Sequence, residues 1–488
     1  MILKFEKAIN KNQEQRMRYA DDPTKFMESE ADLDEEIKNL LSLTQAPHLY
    51  PEIVKLGSVS SLLSLLSHEN NDIVIDAIDL INELTDEDVG TSEDELERNQ
   101  EATQGMKALV DALLKNELLE LLVQNLGRLD ENEEADRQGI FKLLGIFENL
   151  LALDPSLAER IALKTDLLPW LLKRIQTKGF DSNRGYASEI LSILLQERRD
   201  IRLKLSDLGG VDTLLRALSA YKRKDPQDED EAEMVENFFN ALCSMLNEPE
   251  VKQLFLEAEG VELMLIMLRE RTLARIRAVK VLNYALTGEA GRGNCLRLGA
   301  KKLKKSHKEY VESEDEEHIM CIILSLMRNL SQDDLQRIRL IRKFIDDDYE
   351  KVDRLVEMKE QYEARDQRVL AEIEEEKKDM DEEELEEFGD EFYIRRLDAG
   401  LFTLQRVCLV IAALSIEDVG IRDKAMMLLK RMGSDMSSVT RIIEEETALL
   451  QDFVYLKNVA TGGATAATQS TEASIKMDSA SNPPQETQ

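Results

Sequence analysis

The segment from residue 72 to residue 84 carries the clearest potential for chemistry. Four of its carboxylates follow one another at i, i+4, i+7 and i+11, which places them on one face of a helix: they are Asp72, Asp76, Asp79 and Glu83. The opposite face would hold aliphatic residues, namely Ile73, Val74, Ala77, Ile78 and Ile81. Because carboxylates accept charge-assisted hydrogen bonds from Lys and Arg, the segment indicates either a site for basic side chains or an ordinary solvated helix face.

Other patterns that resemble chemical sites lack the partners such sites need. His318 and Cys321 stand at i and i+3 without a second pair of ligands, so we predict no metal site. The glycines from 288 to 293 are not preceded by an apolar strand or followed by Lys-Ser/Thr, so they indicate a connection and no phosphate loop. With four His residues and no nucleophile motif, we predict no catalytic residues, no cofactor and a protein that is not an enzyme.

One compact basic cluster has two open interpretations, a nuclear import signal or an exposed loop. Its residues are Lys301, Lys302, Lys304 and Lys305. Four cysteines are far apart in the sequence: Cys243, Cys295, Cys321 and Cys408. They predict reduced, mostly buried thiols and hence a cytosolic or nuclear protein.

The charge balance restricts the class of partner. The chain carries 63 Lys and Arg against 98 Asp and Glu, a net charge of −35 at pH 7. A field of this sign repels phosphates and attracts basic peptides, so we predict no direct sequence-specific nucleic acid binding. The first seven residues lack a long apolar run, so we predict no signal peptide, and no stretch approaches 18 uninterrupted apolar residues, so we predict no membrane span.

The apolar residues that must position these groups recur in a pattern typical of helical repeats. In each unit a turn precedes a short apolar helix, and a longer apolar helix follows a spacer. The units begin near Gly57, Gly209 and Gly260, with less regular copies at 118–151 and 167–195. Neighbouring units of this kind complete each other's core. We therefore predict an all-α, armadillo/HEAT-like helical repeat solenoid with an N-terminal cap and a C-terminal helical region, with a non-repetitive bundle as the alternative.

Asparagines in the final helix of the predicted units give a second candidate peptide site. Importin-type armadillo proteins clamp an extended peptide with such asparagines, which alternate with tryptophans. The groove candidates here are Glu148, Asn149, Asn240, Asn283 and Asn329. The only Trp, Trp170, falls in a different helix of its unit, where we expect it in the core. The missing Trp–Asn ladder argues against an importin mechanism.

Composition divides the chain into four segments: an N-terminal helical arm or cap, the armadillo-like repeats, a C-terminal helical region and a disordered tail. In that order they span residues 1–45, 46–335, 336–457 and 458–488.

Acidic stretches within these segments predict solvated loops; they lie at 86–101, 225–236 and 312–317. Residues 346–390 predict a long charged helix. Leu355 and Tyr362 keep a seven-residue spacing there, but Lys359 and Asp366 fill the alternate positions. A coiled coil is therefore poorly supported, and we expect a helix packed on one narrow stripe.

Several segments resemble the beta-catenin-like protein 1 family, which is a family of armadillo-repeat nuclear splicing proteins. They are Lys25–Glu30, Asp79-Leu80 with Glu83–Asp86, Leu121–Leu126, Trp170–Arg174 and Glu391–Phe402. The resemblance runs in order from about residue 4 to about residue 446, and Glu391–Phe402 is its most specific part. It implies association with the spliceosome through the NineTeen complex, in the nucleus. It also implies binding to basic localisation-signal segments of a Myb-domain component of that complex.

Two departures from the family pattern bear on this resemblance. Family members carry a basic N-terminal extension with an import signal, whereas this chain starts almost at the conserved part, which leaves its import route open. Between Cys295 and Lys305 a fuller apolar helix of the family is replaced by a short stretch and lysines. We expect one shortened repeat and weak local packing there.

These observations predict a non-enzymatic scaffold in pre-mRNA splicing that binds basic segments of splicing factors through an acidic helical-repeat surface. The main alternative is a nuclear transport adaptor of the importin-alpha type. A third hypothesis is an enzyme regulator whose acidic loops enter a basic cleft.

Overall fold

The computed structural model describes most of the chain, and every regular element in the described part is helical. The described residues are 1–86, 96–270, 272–300, 313–381, 384–385 and 388–445. They form two compact units: one holds Met1–Ala258 with Thr272–Ala274, and the other holds the remaining described residues from Glu259 onward. The prediction of an all-α protein is confirmed. The basic cluster at 301–305 and the tail at 458–488 lie outside the described residues.

The first unit is a series of short and long helices joined by tight turns. Its helices are α1 (Ile2–Arg18), α2 (Met27–Leu40), α3 (Tyr50–Lys55), α4 (Ser58–Leu65), α5 (Asn71–Thr85), α6 (Leu96–Lys115), α7 (Leu118–Arg128), α8 (Glu134–Leu153), α9 (Ala158–Lys164), α10 (Leu167–Ile175), α11 (Ser182–Leu194), α12 (Arg199–Asp207), α13 (Gly210–Ser219), α14 (Glu229–Met245) and α15 (Pro249–Glu257).

Three helices, and not the two that the sequence pattern predicts, make up each repeat. The triplets are α3–α5, α6–α8, α9–α11 and α12–α14. A third helix per unit is the feature that separates armadillo from HEAT repeats. The N-terminal segment is a packed cap, since α1 lies against α2 and α2 lies against α5. Phe5, Leu33 and Ile37 are buried in that cap.

The turn into three of the four second helices, α4, α7 and α13, has a left-handed residue. Gly57 precedes α4 with φ +77°, and Gly209 precedes α13 with φ +81°. Glycine adopts this conformation without the Cβ clash that other residues suffer. Glu117 holds the equivalent place before α7 with φ +64°. At Gly57 and Gly209 the recurrent glycine of the sequence pattern therefore marks a left-handed backbone conformation.

Side-chain caps fix the start of three of the long third helices. Asn70, Asp181 and Asp228 each accept a hydrogen bond from a backbone N–H of the first turn of α5, α11 and α14, at 3.0, 3.0 and 2.8 Å. Such caps satisfy N–H groups that the helix itself leaves free.

The third helices pack side by side, α5 on α8, α8 on α11 and α11 on α14. We call this arrangement the third-helix layer. The close approach of α8 to its neighbours requires glycine: a Cβ on Gly145 would lie 2.5 Å from Asn82 Oδ1, and one on Gly139 would lie 2.8 Å from Ile75 Cγ1. Phe147 and Phe238 are fully buried in this layer. The third-helix layer therefore sets the position of every side chain on its solvent face.

The second unit surrounds one apolar helix. Its helices are α16 (Gly260–Met267), α17 (Ala274–Leu286), α18 (Arg292–Ala300), α19 (Ser313–Asn329), α20 (Leu335–Ile345), α21 (Glu350–Glu376), α22 (Gly389–Asp398), α23 (Leu401–Glu417), α24 (Val419–Arg431) and α25 (Met436–Glu445). The helix α23 is buried over most of its length against α19, α21, α24 and α25.

The long charged helix α21 packs on a wider stripe than the sequence predicts. Lys359 is fully buried, and its Nζ donates to Glu363, Ser434 and Ser438 at 2.6, 3.3 and 3.0 Å. Asp366 accepts two hydrogen bonds from Arg396, both at 2.9 Å. These polar positions are therefore buried because partners on other helices satisfy them.

The prediction that the acidic stretches are loops holds at 225–228 but is wrong for most of the other described residues in them. Residues 229–236 form the first two turns of α14, and α19 begins at Ser313. Glu231 is only 5% exposed and accepts a hydrogen bond from the Tyr221 hydroxyl at 2.8 Å. Carboxylates are favourable near a helix N-terminus because the backbone N–H groups there carry positive charge. In the first stretch, α6 begins at Leu96, and residues 87–95 lie outside the described part.

Within the described residues, no single helix is long and apolar enough to cross a bilayer. The consecutive helices α22 and α23 reach that length and apolarity only when they are combined, and they are bent by 63° relative to each other.

We expect Gly209→Ala to lower the free energy of unfolding by about 1 kcal/mol, because alanine is strained at positive φ. No atom lies within 4 Å of the added Cβ, so the cost arises from the backbone alone. Urea unfolding followed by circular dichroism measures the change. The matched control is Gly127→Ala, on the exposed last turns of α7, which should raise stability by up to about 1 kcal/mol. Equal effects of the two substitutions would contradict the assignment of Gly209 to a left-handed turn.

Candidate functional site

The predicted acidic row lies on α5, in the third-helix layer. Asp72 is exposed, whereas the side chains of Asp76, Asp79 and Glu83 are 19%, 37% and 36% exposed. The five aliphatic residues assigned to the opposite face are all buried. Ile75, which was not assigned to that face, is half-buried. The helical face inferred from spacing is therefore present, and it keeps the name acidic row (Asp72, Asp76, Asp79, Glu83).

Cations from neighbouring helices already contact most of the acidic row. Lys142 on α8 places its Nζ 2.9 Å from Asp79 Oδ1 and 3.2 Å from Glu83 Oε1. Lys38 on α2 lies 3.7 Å from Asp76 Oδ1. These pairs are partly exposed, so each contributes little to stability. They do neutralise charge that the sequence suggested was available to a ligand.

Asp76 shares its environment with a second carboxyl. Burial, followed by a hydrogen bond to Asp34, raises the pKa of Asp76 to about 7. The same hydrogen bond lowers the pKa of Asp34, to which Lys38 also contributes. A proton on Asp76 that is donated to the Asp34 carboxylate explains both directions, since two adjacent carboxylates repel each other. We therefore expect the contact between α2 of the cap and α5 of the first repeat to respond to pH.

A cavity of about 280 Å³ opens between α8, α11 and α14. Aromatic and apolar walls come from Phe141, Phe180, Tyr186 and Met234. Carboxylates line it as well, namely Glu148, Glu189, Asp230 and Glu233. The rings of Phe141 and Tyr186 have centroids 4.8 Å apart and planes tilted by 52°. We call this site the aromatic–acidic pocket.

The carboxylates of the pocket lack the cations that neutralise the acidic row. None of the four forms an ion pair among the residues that the structure describes. The Tyr186 hydroxyl donates a hydrogen bond to Glu148 Oε2. Burial, and then the charges of Glu148 and Glu233, raise the pKa of Glu189. The pocket therefore holds negative charge that a positive ligand would stabilise.

This combination of groups suits a Lys or Arg side chain. An aromatic face attracts a cation through its quadrupole, more strongly when water is excluded. Carboxylates add charge-assisted hydrogen bonds. Phe141 lines the pocket and is 41% exposed, so part of its ring is accessible from solvent.

Of the predicted groove residues, only Glu148 lines the pocket. The amide of Asn149 donates to Asn82 O at 3.1 Å and to Thr85 Oγ1 at 3.3 Å, which joins α8 to α5. Asn240 is half-buried on α14.

The other two predicted asparagines lie in the second unit. Asn329 donates to the carbonyl oxygens of Leu286 and Gly288, both at 2.9 Å. Asn283 Nδ2 lies 3.1 Å from His318 Nδ1. The amide groups of Asn149 and Asn329 therefore serve the packing of helices.

Trp170 also has a structural contact. It is half-buried on α10, and its Nε1 donates to Leu126 O at 3.1 Å. It joins the second helices of adjacent repeats, away from the lining of the pocket.

Sequence reasoning missed Phe141, Tyr186, Glu189 and Glu233. Each of these residues shares a helical face with another lining residue: Phe141 with Glu148 at i+7, Tyr186 with Glu189 at i+3, and Glu233 with Asn237 at i+4. The assignment of 225–236 to a loop concealed the contribution of α14.

Stacked three-helix units, with third helices in one layer, define an armadillo-repeat protein. The chain belongs to the family described as "Catenin-beta-like, Arm-motif containing nuclear", whose model matches residues 1–444. It is 41% identical over 471 residues to human "Beta-catenin-like protein 1", covering 91% of this chain and 80% of that protein. It is 35% identical over 446 residues to the fission yeast homolog, covering 90% and 76%. Among solved structures, a designed armadillo repeat protein is 14% identical with a TM-score of 0.39, covering 57% of this chain and 98% of that one.

We expect Asp76→Asn to flatten the pH dependence of stability between about pH 4 and pH 7. A carboxyl whose folded pKa exceeds its unfolded pKa holds a proton in the native state, so the free energy of unfolding of the unsubstituted protein falls as pH rises through this window. The pKa of Asp34 is lowered, so the pH dependence that this carboxyl contributes lies below the window. The pKa of Lys38 is raised, so the contribution of this amine lies above the window. A pKa raised from the ordinary value near 4 to about 7 corresponds to a difference of up to about 4 kcal/mol across the window.

Urea unfolding at several pH values across the window measures this effect. Asp72→Asn, an exposed substitution on the same helix, is the control and should change the slope only slightly, because the charge of Asp72 is a minor cause of the raised pKa of Asp76. A slope that survives in the Asp76→Asn variant would show that Asp76 is ionised throughout.

Proposed function

We propose that this armadillo-repeat protein is a non-enzymatic scaffold of pre-mRNA splicing in the nucleus, associated with the NineTeen complex, which binds basic localisation-signal-like segments of partner proteins. The observation that carries the proposal is the aromatic–acidic pocket, whose carboxylates lack internal cations. Membership in a family described as nuclear supports the compartment. The resemblance of Glu391–Phe402 and the other family segments supports the splicing machinery and its Myb-domain component as the source of the partner.

A basic segment would use the pocket as its main anchor. One Lys or Arg side chain would place its charge between Glu189 and Glu233, against the rings of Phe141 and Tyr186. Buried anchors of this kind dominate the energy of an interface, and the surrounding contacts mainly exclude water. Binding would also favour the ionised form of Glu189, so affinity should fall as the pH falls.

The acidic row would contribute in a different way. A ligand cation must compete with Lys142 for Asp79 and Glu83, which reduces the gain from that contact. Asp72 is exposed and contributes to the long-range field of a chain with net charge −35. Such a field speeds the approach of a basic ligand more than it holds the complex together.

We expect the triple variant Glu148→Gln, Glu189→Gln and Glu233→Gln to bind a Lys/Arg-rich peptide about 10- to 100-fold more weakly, because hydrogen bonds to charged groups are worth about 1.5–3 kcal/mol each and are not fully additive. Isothermal titration calorimetry at physiological salt measures the affinity. A peptide with Gln at each basic position reports the part of binding that does not require charge.

The matched control removes three charges elsewhere in the same unit: Asp111→Asn, Asp166→Asn and Asp207→Asn, all at exposed positions. It should weaken binding by no more than about threefold, through the long-range field alone. If both triple variants weaken binding equally, net charge and not the pocket accounts for recognition. The triple Asp76→Asn, Asp79→Asn, Glu83→Gln tests the acidic row in the same assay.

In nuclear extract, we expect affinity purification with the full chain to recover components of the NineTeen complex, with and without nuclease treatment. Resistance to nuclease is expected because the proposed contact is between proteins. Mass spectrometry identifies the partners, and the triple pocket variant is the control, which should lose the Myb-domain component. Recovery dominated by importins and varied cargo would instead support a transport adaptor.

A further inference from the structure

The helix α20 in the second unit exposes a stripe that the packing of that unit does not use. Its inner side is fixed: Phe344 is 5% exposed, and the buried Arg337 donates to Leu330 O at 2.7 Å and to Met327 O and pairs with Glu417. The helix is held by contacts with α18, α21 and α24. Its outer side is therefore presented in a rigid and defined orientation.

The outer side combines apolar and basic residues on one helical face. Its members follow one another at i, i+3, i+4, i+7 and i+8, which keeps them within one face. They are Leu335, Ile338, Arg339, Arg342 and Lys343, and all five are exposed. Leu335 and Ile338 are 68% and 49% exposed. We call this surface the α20 face.

The cations of the α20 face are unusual for this protein. The chain has a net charge of −35, yet Arg339, Arg342 and Lys343 form no ion pair among the described residues. Arg339 stands at i, i+3 and i, i+4 from the other two, and like charges at those spacings destabilise a helix. The helix dipole favours cations in the last turn, which accounts for Arg342 and Lys343 but not for Arg339 or for the exposed aliphatic pair.

We propose that the α20 face docks an acidic segment of a partner protein, one in which Asp or Glu residues alternate with aliphatic side chains. The three cations would pair with carboxylates and lose their mutual repulsion. Leu335 and Ile338 would bury apolar surface that otherwise faces water. Contact through apolar anchors spaced at i, i+3 and i+4 on one helix face is a recurrent mode of peptide recognition.

A protein segment fits this face better than a nucleic acid does. Phosphate backbones offer no apolar surface to cover Leu335 and Ile338, and the overall charge of the chain repels a long polyanion. A short acidic segment feels that repulsion less and supplies both kinds of contact. The α20 face is also opposite in charge to the aromatic–acidic pocket, so a scaffold with both can hold two partners of different chemistry.

The test uses the full chain and a fluorescein-labelled peptide of about 12 residues, in which Glu and Leu are placed so that a helix would present both on one side. Fluorescence anisotropy measures binding. We expect saturable binding that weakens with salt, and at least a tenfold loss in the variant Arg339→Glu, Arg342→Glu. Ile338→Ser should weaken binding about threefold and leave the salt dependence unchanged. Because these positions are exposed, the variants should keep the thermal unfolding of the unsubstituted chain.

The matched control is Lys173→Glu, Lys204→Glu, which makes the same change in charge at exposed positions on α10 and α12 and should bind the peptide nearly as well as the unsubstituted chain. Equal losses in the two double variants would overturn the proposal in favour of a general charge effect. Tighter binding of single-stranded oligouridylate than of the peptide, lost in the Arg339→Glu, Arg342→Glu variant, would overturn it in favour of a phosphate-binding face. Self-association abolished by that variant in sedimentation would overturn it in favour of a second copy. None of these outcomes depends on basic-peptide binding at the pocket.

Discussion

The first unit depends on the lateral packing of its third helices. Each of these helices buries one side against the third helix of the neighbouring repeat, and a repeat alone could not bury that side. The approach is close enough that Gly139 and Gly145 leave no room for a Cβ against Ile75 and Asn82. This spacing brings side chains from α8, α11 and α14 around one cavity. The aromatic–acidic pocket is therefore a consequence of how repeats stack, and changes in stacking would alter its shape without replacement of a lining residue.

The distribution of cations decides which acidic residues are available to a ligand. The chain has far more carboxylates than basic residues, so its few cations neutralise some acidic groups and leave others unpaired. Lys38 and Lys142 lie beside the acidic row, whereas the pocket carboxylates have no such neighbour among the described residues. Unpaired carboxylates next to aromatic rings gain most from a cationic ligand, since desolvation strengthens both interactions. The same reasoning, with the charges reversed, identifies the α20 face in the second unit.

The second unit shows how polar residues can occupy a helix core. Lys359 and Asp366 fall where a regular apolar pattern would place leucine, and the sequence therefore indicates a helix packed on one narrow stripe. In the structure each has a specific partner, Glu363 with two serines for Lys359 and Arg396 for Asp366. Buried polar groups with complete partners restrict how helices can be arranged, because a shift of one turn would leave a charge unpaired.

The resemblance of particular segments identified the family, and local periodicity in the sequence determined the helical class, the presence of repeats and the buried aliphatic face of α5. These properties depend on residues within a few turns of each other, and apolar spacing records them directly. The tertiary structure alone decided that Lys142 neutralises Asp79 and Glu83, that Asn149 and Asn329 bond to backbone carbonyls, and that α14 begins at Glu229 and completes a pocket with α8 and α11. Each of those features joins groups from different repeats or depends on a helix start that acidic composition obscured. Spacing along one helix specifies which residues share a face, but the residues opposite that face are set by the packing of distant segments.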